Sequence, residues 1–349
     1  MPKSAKKIFL DANVMIQEGK HGSPITERLV DLVNAELIEV LTTDLTMTEV
    51  AKKHAENDLD VVKDYARPHF RAILNDVLAT ELPEINNTAL KQNLLKKYAE
   101  STQRMFTSLR ATVLSIDDVR PSDVLGAYSR REGFFSGEGK KDQFPDAFIF
   151  ACLRKIADSG KPIIIVSADG DFIGPSNSVD NITLVKTFAK LFEALDLEIE
   201  MPEVEGFFES ENDNLISWFD TEVSNWSLQV ADVEDGEIDS SEVTSIKIND
   251  YAAFRSTREN GDILVTGNAA VTANVSYTHP DWDTASWDSE DRVAIPRDNV
   301  SGETEVEFEV RFSMTLTVDA SGAAVALANL SFLDDSFVYI NIEPYEIYK

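Results

Sequence analysis

A single cysteine, Cys152, and four histidines are the only thiol and imidazole ligands in this 349-residue chain. One cysteine excludes an internal disulfide framework and fits a reducing compartment. It also removes any cysteine-based zinc site, and the scattered histidines offer little better. No stretch approaches the ~18–20 uninterrupted apolar residues of a membrane helix. The opening MPKSAKKIFLD reaches Asp11 too soon to contain a signal-peptide apolar core, so the expected setting is cytoplasmic, with no membrane partner. Basic residues are also scarce, and unevenly so. Residues 1–200 carry 25 Lys+Arg against 31 Asp+Glu, a net of −6, whereas residues 201–349 carry 7 against 31, a net of −24. An acidic half of that size repels nucleic acid at long range, so any polyanion must be held locally by the first half. The break in charge, at MPEVEG (201–206), sets the expected boundary between domains 1–200 and 201–349.

The first half alternates strand and helix signals. KIFLD (7–11) is a short apolar run that ends at an aspartate, and ITERLVDLVN (25–34) has helical spacing. IEVLTTD (38–44) reads as a second strand, and LTMTEVAKKHAEND (45–58) as a helix. From about 60 to 131 the pattern is helical, broken at Pro68, Pro83 and Pro121, and reads as an insertion. Residues 130–142 (RREGFFSGEGKKD) read as a loop, PDAFIFACLRKIA (145–157) as a helix, and KPIIIVSADGDF (161–172) as a buried strand with a turn. Short β-branched runs bounded by helices predict an α/β fold with a parallel sheet. The second half opens with helix-like residues 206–226 and then switches to period 2. In EVEFEVRFSMTLTV (305–318) every even position is apolar, and 262–278 alternates similarly, with Ser321-Gly322 as a hairpin turn. This predicts a mainly antiparallel β domain with Glu303, Glu305, Glu307 and Glu309 on a wet face.

Several carboxylates follow strands. Each has an ordinary explanation: Asp11 caps the next helix, and Glu49 completes a capping box, Thr46-x-x-Glu49. Asp146, after Pro145, suits a first helical turn, while Asp169 and Asp171 flank a glycine in a turn. Their positions argue jointly for something else. Asp11 ends one strand, Glu49 follows a second, Asp169 ends a third, and Asp146 opens a helix leading back into the sheet. In an open α/β sheet those places share one edge, where ligands bind. Carboxylates ~5 Å apart there repel by ~3 kcal/mol per pair at an effective dielectric of 20, which a divalent cation offsets. An all-oxygen set selects Mg²⁺ or Mn²⁺ over zinc.

FLDANVMI, TTDLTMTEV, FPDAFIFACL and IIIVSADGDF occur in the order of the four acidic motifs of PIN-domain nucleases, which this chain resembles over roughly residues 7–195. The resemblance implies a Rossmann-like α/β/α sandwich and metal-dependent phosphodiester hydrolysis, most often of RNA, leaving 5′-phosphate and 3′-hydroxyl ends. By motif position Asp11, Glu49, Asp146 and Asp169 are the acidic quartet, and Ser167, in the place of the hydroxyl residue, and Asn13, beside the first motif, are expected to bind substrate. Asp171 and Asp142 are further metal candidates, Asp142 having a loop or helix-cap role as its alternative. A toxin or defence effector is one setting for such an enzyme, with an antitoxin-like regulatory protein or a homo-oligomer as its partners. DNA is the alternative substrate. A catalytically inactive scaffold, with the acidic β domain binding protein, is the alternative function.

Around this site, Arg130, Arg131, Lys140 and Lys141 are candidates for holding flanking phosphates. Phe134 and Phe135 either stack on unpaired bases or fold into the core. Lys52 and Lys53 read as a solvated helix face. THPDWDTASWDSEDR (278–292) reads as a solvated hairpin loop with Trp282 or Trp287 folded against the sheet, or else as a calcium site or acidic patch.

Overall fold

The structure is a computed structural model that describes residues 5–19, 22–79, 81–136, 143–199, 202–226, 228–255, 261–288, 293–333 and 338–342. The chain divides into two compact units, Met1–Asp196 and Leu197–Lys349.

In the first unit, β1 (Lys6–Leu10), α1 (Ala12–Gln17), α2 (Pro24–Asn34) and β2 (Ile38–Thr43) lead into α3 (Asp44–Val62). The segment that follows holds α4 (Pro68–Leu78), α5 (Asn87–Ser108), the short β3 (Thr112–Leu114) and α6 (Pro121–Arg130). Then come α7 (Phe144–Asp158), β4 (Ile163–Val166), α8 (Ile173–Asn177), β5 (Ile182–Val185) and α9 (Phe188–Ala194). The five strands form one parallel sheet in the order β3-β2-β1-β4-β5. β1 is central because its Ile8, Phe9 and Leu10 are apolar on both faces and fully buried. Phe9 joins Ile149, Leu153, Ile163, Ile165 and Phe172 in a core beneath α7. The chain winds outward from β1 to β2 and β3, then crosses to β4 and β5 on the other side. The switch point therefore lies at the carboxyl ends of β1 and β4, where Asp11 and Ser167 follow the paired residues Leu10 and Val166.

Two expectations change here. The Thr46-x-x-Glu49 capping box does not form, because α3 starts one turn earlier. Thr43 is its N-cap, with Oγ1 accepting from the Thr46 amide at 3.0 Å. Residues 60–131 are also not purely helical: β3 adds an edge strand there, its Leu114 beside Thr43.

The second unit is built on an antiparallel sheet. Its first elements are β6 (Glu198–Ile199), α10 (Pro202–Ser210), α11 (Asn212–Asn225), β7 (Leu228–Val230) and the long β8 (Glu237–Phe254) and β9 (Ile263–Pro280). They are followed by β10 (Ser286–Asp288), β11 (Val293–Ile295), β12 (Asn299–Val318), β13 (Ala324–Phe332) and β14 (Val338–Ile340). The main sheet runs β13-β12-β9-β8-β6. Its apolar face carries Val306, Phe308, Val310 and Phe312 of β12 and packs with Leu215, Phe219 and Val223 of α11. Glu303, Glu305, Glu307 and Glu309 alternate with that face and are exposed. The turn from β12 to β13 has Gly322 at φ +87°, a left-handed conformation that glycine adopts without strain. Trp287 does not fold against the sheet, being 68% exposed, whereas Trp282 is 36% exposed and its Nε1 donates to the Glu234 carbonyl. Glu290 and Asp291 lie outside the described residues. No described helix is long and apolar enough to cross a membrane.

Candidate active site

Asp11 sits where β1 meets α1. Its Oδ1 accepts the Ala12 amide at 2.8 Å and its Oδ2 accepts the Ser167 hydroxyl at 2.6 Å. The capping reading is therefore met, but it does not account for the second contact, which ties β1 to β4. Ser167 is fully buried, so its hydroxyl orients Asp11 rather than opening to a substrate. It also accepts from the Asp169 amide at 3.1 Å and lies 3.3 Å from Asn13 Nδ2. Asn13 Oδ1 in turn accepts the Ala168 amide at 3.2 Å. Asn13 and Ser167 thus lock the ends of β1 and β4 together. Asp169 begins a 3₁₀ turn and takes the Asp171 amide on Oδ1 at 2.8 Å.

Glu49 stands on α3 past its first turn, and Asp146 in the first turn of α7. Both helices begin at the sheet edge where β1 and β4 end, since each runs antiparallel to the strand it joins. The groups act on one another electrostatically. Burial raises the Asp11 carboxyl to about 6, with Glu49 and Asp169 adding to the rise and the Ser167 and Ala12 hydrogen bonds opposing it. Burial also raises Asp146, to about 7, reinforced by Asp11, Asp169, Glu49 and Asp171. Glu49 is raised by burial and by Asp169, while Lys52 pulls it down. Each of these shifts disfavours the ionised form. Such a set suits a hard divalent cation by donor type, and each member gains from one nearby. Among the described residues, however, no three His, Cys, Asp or Glu side chains are gathered closely enough to hold a metal ion. The carboxylates feel one another without forming a closed ligand cage.

Of the four expected flanking cations, Arg130 and Arg131 are described. Arg130 ends α6 and pairs with Glu132 at 2.8 Å, and Arg131 takes a left-handed φ of 57° at the helix C-cap. Lys140, Lys141 and Asp142 lie outside the described residues. Lys52 is a solvated side chain as expected, 3.8 Å from Glu56, and it also acts on Glu49; its i, i+3 spacing from Glu49 on α3 was the available signal. Phe134 and Phe135 are 6% and 3% exposed, so they belong to the core and do not stack on bases. Phe134 packs edge-on against Phe150 and Phe172. A groove of about 600 Å³ between α6 and α7, lined by Arg130, Phe134, Phe150 and Arg154 among others, contains none of the four carboxylates. Its size does not make it the reaction site.

Compared with known proteins, residues 8–172 match the family model described as PIN domain. That span runs from β1 through the turn after β4 and contains all four carboxylates. No curated protein and no solved structure matches the chain.

Proposed function

Residues 8–172 form a PIN domain, a family whose members are generally nucleases and typically use divalent metal ions; from that premise we propose that this chain is a Mg²⁺- or Mn²⁺-dependent endoribonuclease acting on single-stranded or structured RNA. The observation that carries the reading is the mutual coupling of Asp11, Glu49, Asp146 and Asp169 at the switch point of the sheet. Raised carboxyls cost folding free energy, and perturbed groups of this kind cluster where chemistry is done. When bound, a divalent ion supplies positive charge at a phosphate oxygen and makes water a competent nucleophile near neutral pH. Asp11, Glu49, Asp146 and Asp169 would hold it, with Asp171 at the margin. Ser167 keeps Asp11 in one orientation, and Asn13 keeps the two strand ends in register. Lys52, whose charge lowers Glu49, is the described cation we assign to a flanking phosphate. The expected products carry 5′-phosphate and 3′-hydroxyl ends.

A second reading is a catalytically silent PIN scaffold with an acidic, protein-binding β unit. It draws on the absence of a gathered ligand set among the described residues. Incubating labelled RNA and DNA of one sequence with Mg²⁺ or Mn²⁺, beside an Asp11→Asn control, separates these readings. Cleavage of RNA alone, lost in the variant, supports the ribonuclease. Equal cleavage of DNA moves the substrate, and no difference between parent and variant supports the scaffold.

A further inference from the structure

Among the described residues, the main sheet of the second unit leaves two long strand edges without a pairing strand. β13 pairs with β12 only over Phe312–Val318, and β6 pairs with β8 only at Ala253 and Phe254. Residues 299–310 of β12 and 237–252 of β8 therefore have no described strand on their outer side. Such an edge is a template for another strand, and proteins blunt it with bulges and covering groups. β8 has both. Its register against β9 shifts between Ile238 and Ser240, Val243 and Ser245, and Ile248 and Asp250, and the Asp220 carboxylate of α11 accepts the Val243 amide at 2.8 Å. The register of β12 against β9 is unbroken from Asn299 to Leu316. Backbone groups alternate sides along a strand. The Arg311 carbonyl turns toward β13, accepting from the Leu333 amide at 2.9 Å, so the amides and carbonyls of Glu303, Glu305, Glu307 and Glu309 face that same, open side. The four side chains stand exposed on the wet face, and none is in an ion pair with a described residue. Opposite them β9 supplies Ser276, Asn274, Thr272 and Ala270, all uncharged. The cations nearest in register are Arg311, at the end of the row, and Lys247 of β8, beyond Ala270. The edge carries negative charge that its own neighbours do not balance.

We propose that the 299–310 edge of β12 takes an extended basic segment of another protein as an added antiparallel strand, with Lys or Arg at alternate positions and apolar residues between them. Directly opposed residues of paired strands share a face. The basic residues opposite the four glutamates therefore lie on the wet face, within reach of the carboxylates. The residues between them face the side on which Val306, Phe308 and Val310 are buried, where apolar side chains fit. Main-chain hydrogen bonds hold a strand added in this way, and its side-chain alternation selects it. The row from Glu303 to Glu309 is about 20 Å long, so a partner segment of about seven residues covers it. The same charges work against a second copy: a two-fold pairing of β12 edges centred on Val306 sets Glu303 against Glu309 and Glu305 against Glu307. Nucleic acid is repelled by its sign. The proposal stands on the second unit alone and does not depend on whether the first cleaves RNA.

The test is fluorescence anisotropy of a labelled Lys-Val-Lys-Val-Lys-Val-Lys peptide titrated with the full chain, to about 100 µM in about 0.15 M salt. Two control peptides keep its charge. One groups the same lysines in a block, and the other carries backbone N-methyl groups on its lysines, whose amides face β12 in the proposed pairing. The proposal expects saturable micromolar binding of the alternating peptide and at least tenfold weaker binding of both controls. Glu305→Lys combined with Glu307→Lys, at exposed positions, should weaken binding at least tenfold. With the peptide bound, hydrogen–deuterium exchange should slow at 299–311 and stay unchanged at 237–250. Absence of binding overturns the proposal. So does equal binding of either control peptide, which would make the acidic surface a diffuse attractor of cations, or protection that falls outside 299–311. Exchange at 299–311 that slows with protein concentration alone overturns it in favour of a second copy. If the double variant unfolds, the three peptides and the exchange pattern still decide.

Discussion

Asp146→Asn separates the two roles open to that residue by the sign of its effect on stability. If Asp146 only complements the α7 macrodipole, removing its charge costs a few tenths of a kcal/mol to about 1 kcal/mol at neutral pH. The surroundings argue the reverse: burial and four neighbouring carboxylates raise its pKa from 3.8 to about 7. A displacement of that size corresponds to about 4 kcal/mol against the ionised folded state. Asp146 is partly exposed, and solvent screening reduces the figure to about 2 kcal/mol. The sign follows from proton linkage. Above pH 4 the unfolded carboxyl is ionised while the folded one still binds its proton, so stability falls as pH rises toward about 7 and then levels off. The asparagine variant escapes this loss. Metal-free full chain carrying Asp146→Asn should therefore be more stable than the parent at pH 8, with the first unit melting about 4–8 °C higher. The difference should shrink toward pH 5, while metal-dependent cleavage is lost. Scanning calorimetry in EDTA at pH 5 and pH 8 measures it. A variant that melts lower than the parent at pH 8 would refute the coupling argument.

Glu49→Gln should leave the fold intact, since Thr43 and not Glu49 caps α3, and should lower metal-dependent cleavage by orders of magnitude; normal cleavage would show that Glu49 is no ligand. Ser167→Ala removes a buried hydrogen bond to a carboxylate, which costs about 1–3 kcal/mol near pH 7.5. It also lets the Asp11 carboxyl rise above about 6, so the acid limb of the pH–rate profile should move to higher pH; an unmoved limb contradicts the orienting role. Phe134→Ala should destabilise the first unit by about 3–5 kcal/mol as a core truncation. If instead it unfolds at the parent's midpoint in urea and only weakens RNA binding, the core assignment is wrong.

The acidic sheet edge was legible because β1, β2 and β4 are buried on both faces. Their continuous apolar runs locate the strand ends, and the residues following those ends are Asp11, Asp44 and Ser167-Ala168-Asp169. The period-2 pattern of β12 was equally clear, since one face is covered and the other wet. β3 and β5 were not legible: strands of three and four residues are too short to show a period, and their pairing is set by neighbours. The cap of α3 was misread because two of the three threonines in TTDLT, Thr43 and Thr46, suit the role, and the tertiary position of β2 decides between them. The Phe134-Phe135 pair fits a stacking platform or a core by composition alone. Burial against Phe150 and Phe172 settled it. The Asn13–Ser167 lock joins residues 154 positions apart and leaves no local signal.

The claim that the four carboxylates serve a divalent cation is tested most directly by Mn²⁺ binding to the full chain, read as loss of the free-ion electron paramagnetic resonance signal. The acidic second unit will take up some Mn²⁺ weakly, so the decisive quantity is the difference between the parent and Asp11→Asn and Asp146→Asn. The account predicts a tighter class of site in the parent that weakens below pH 6 and is missing from both variants. The same tight binding in parent and variants would contradict it.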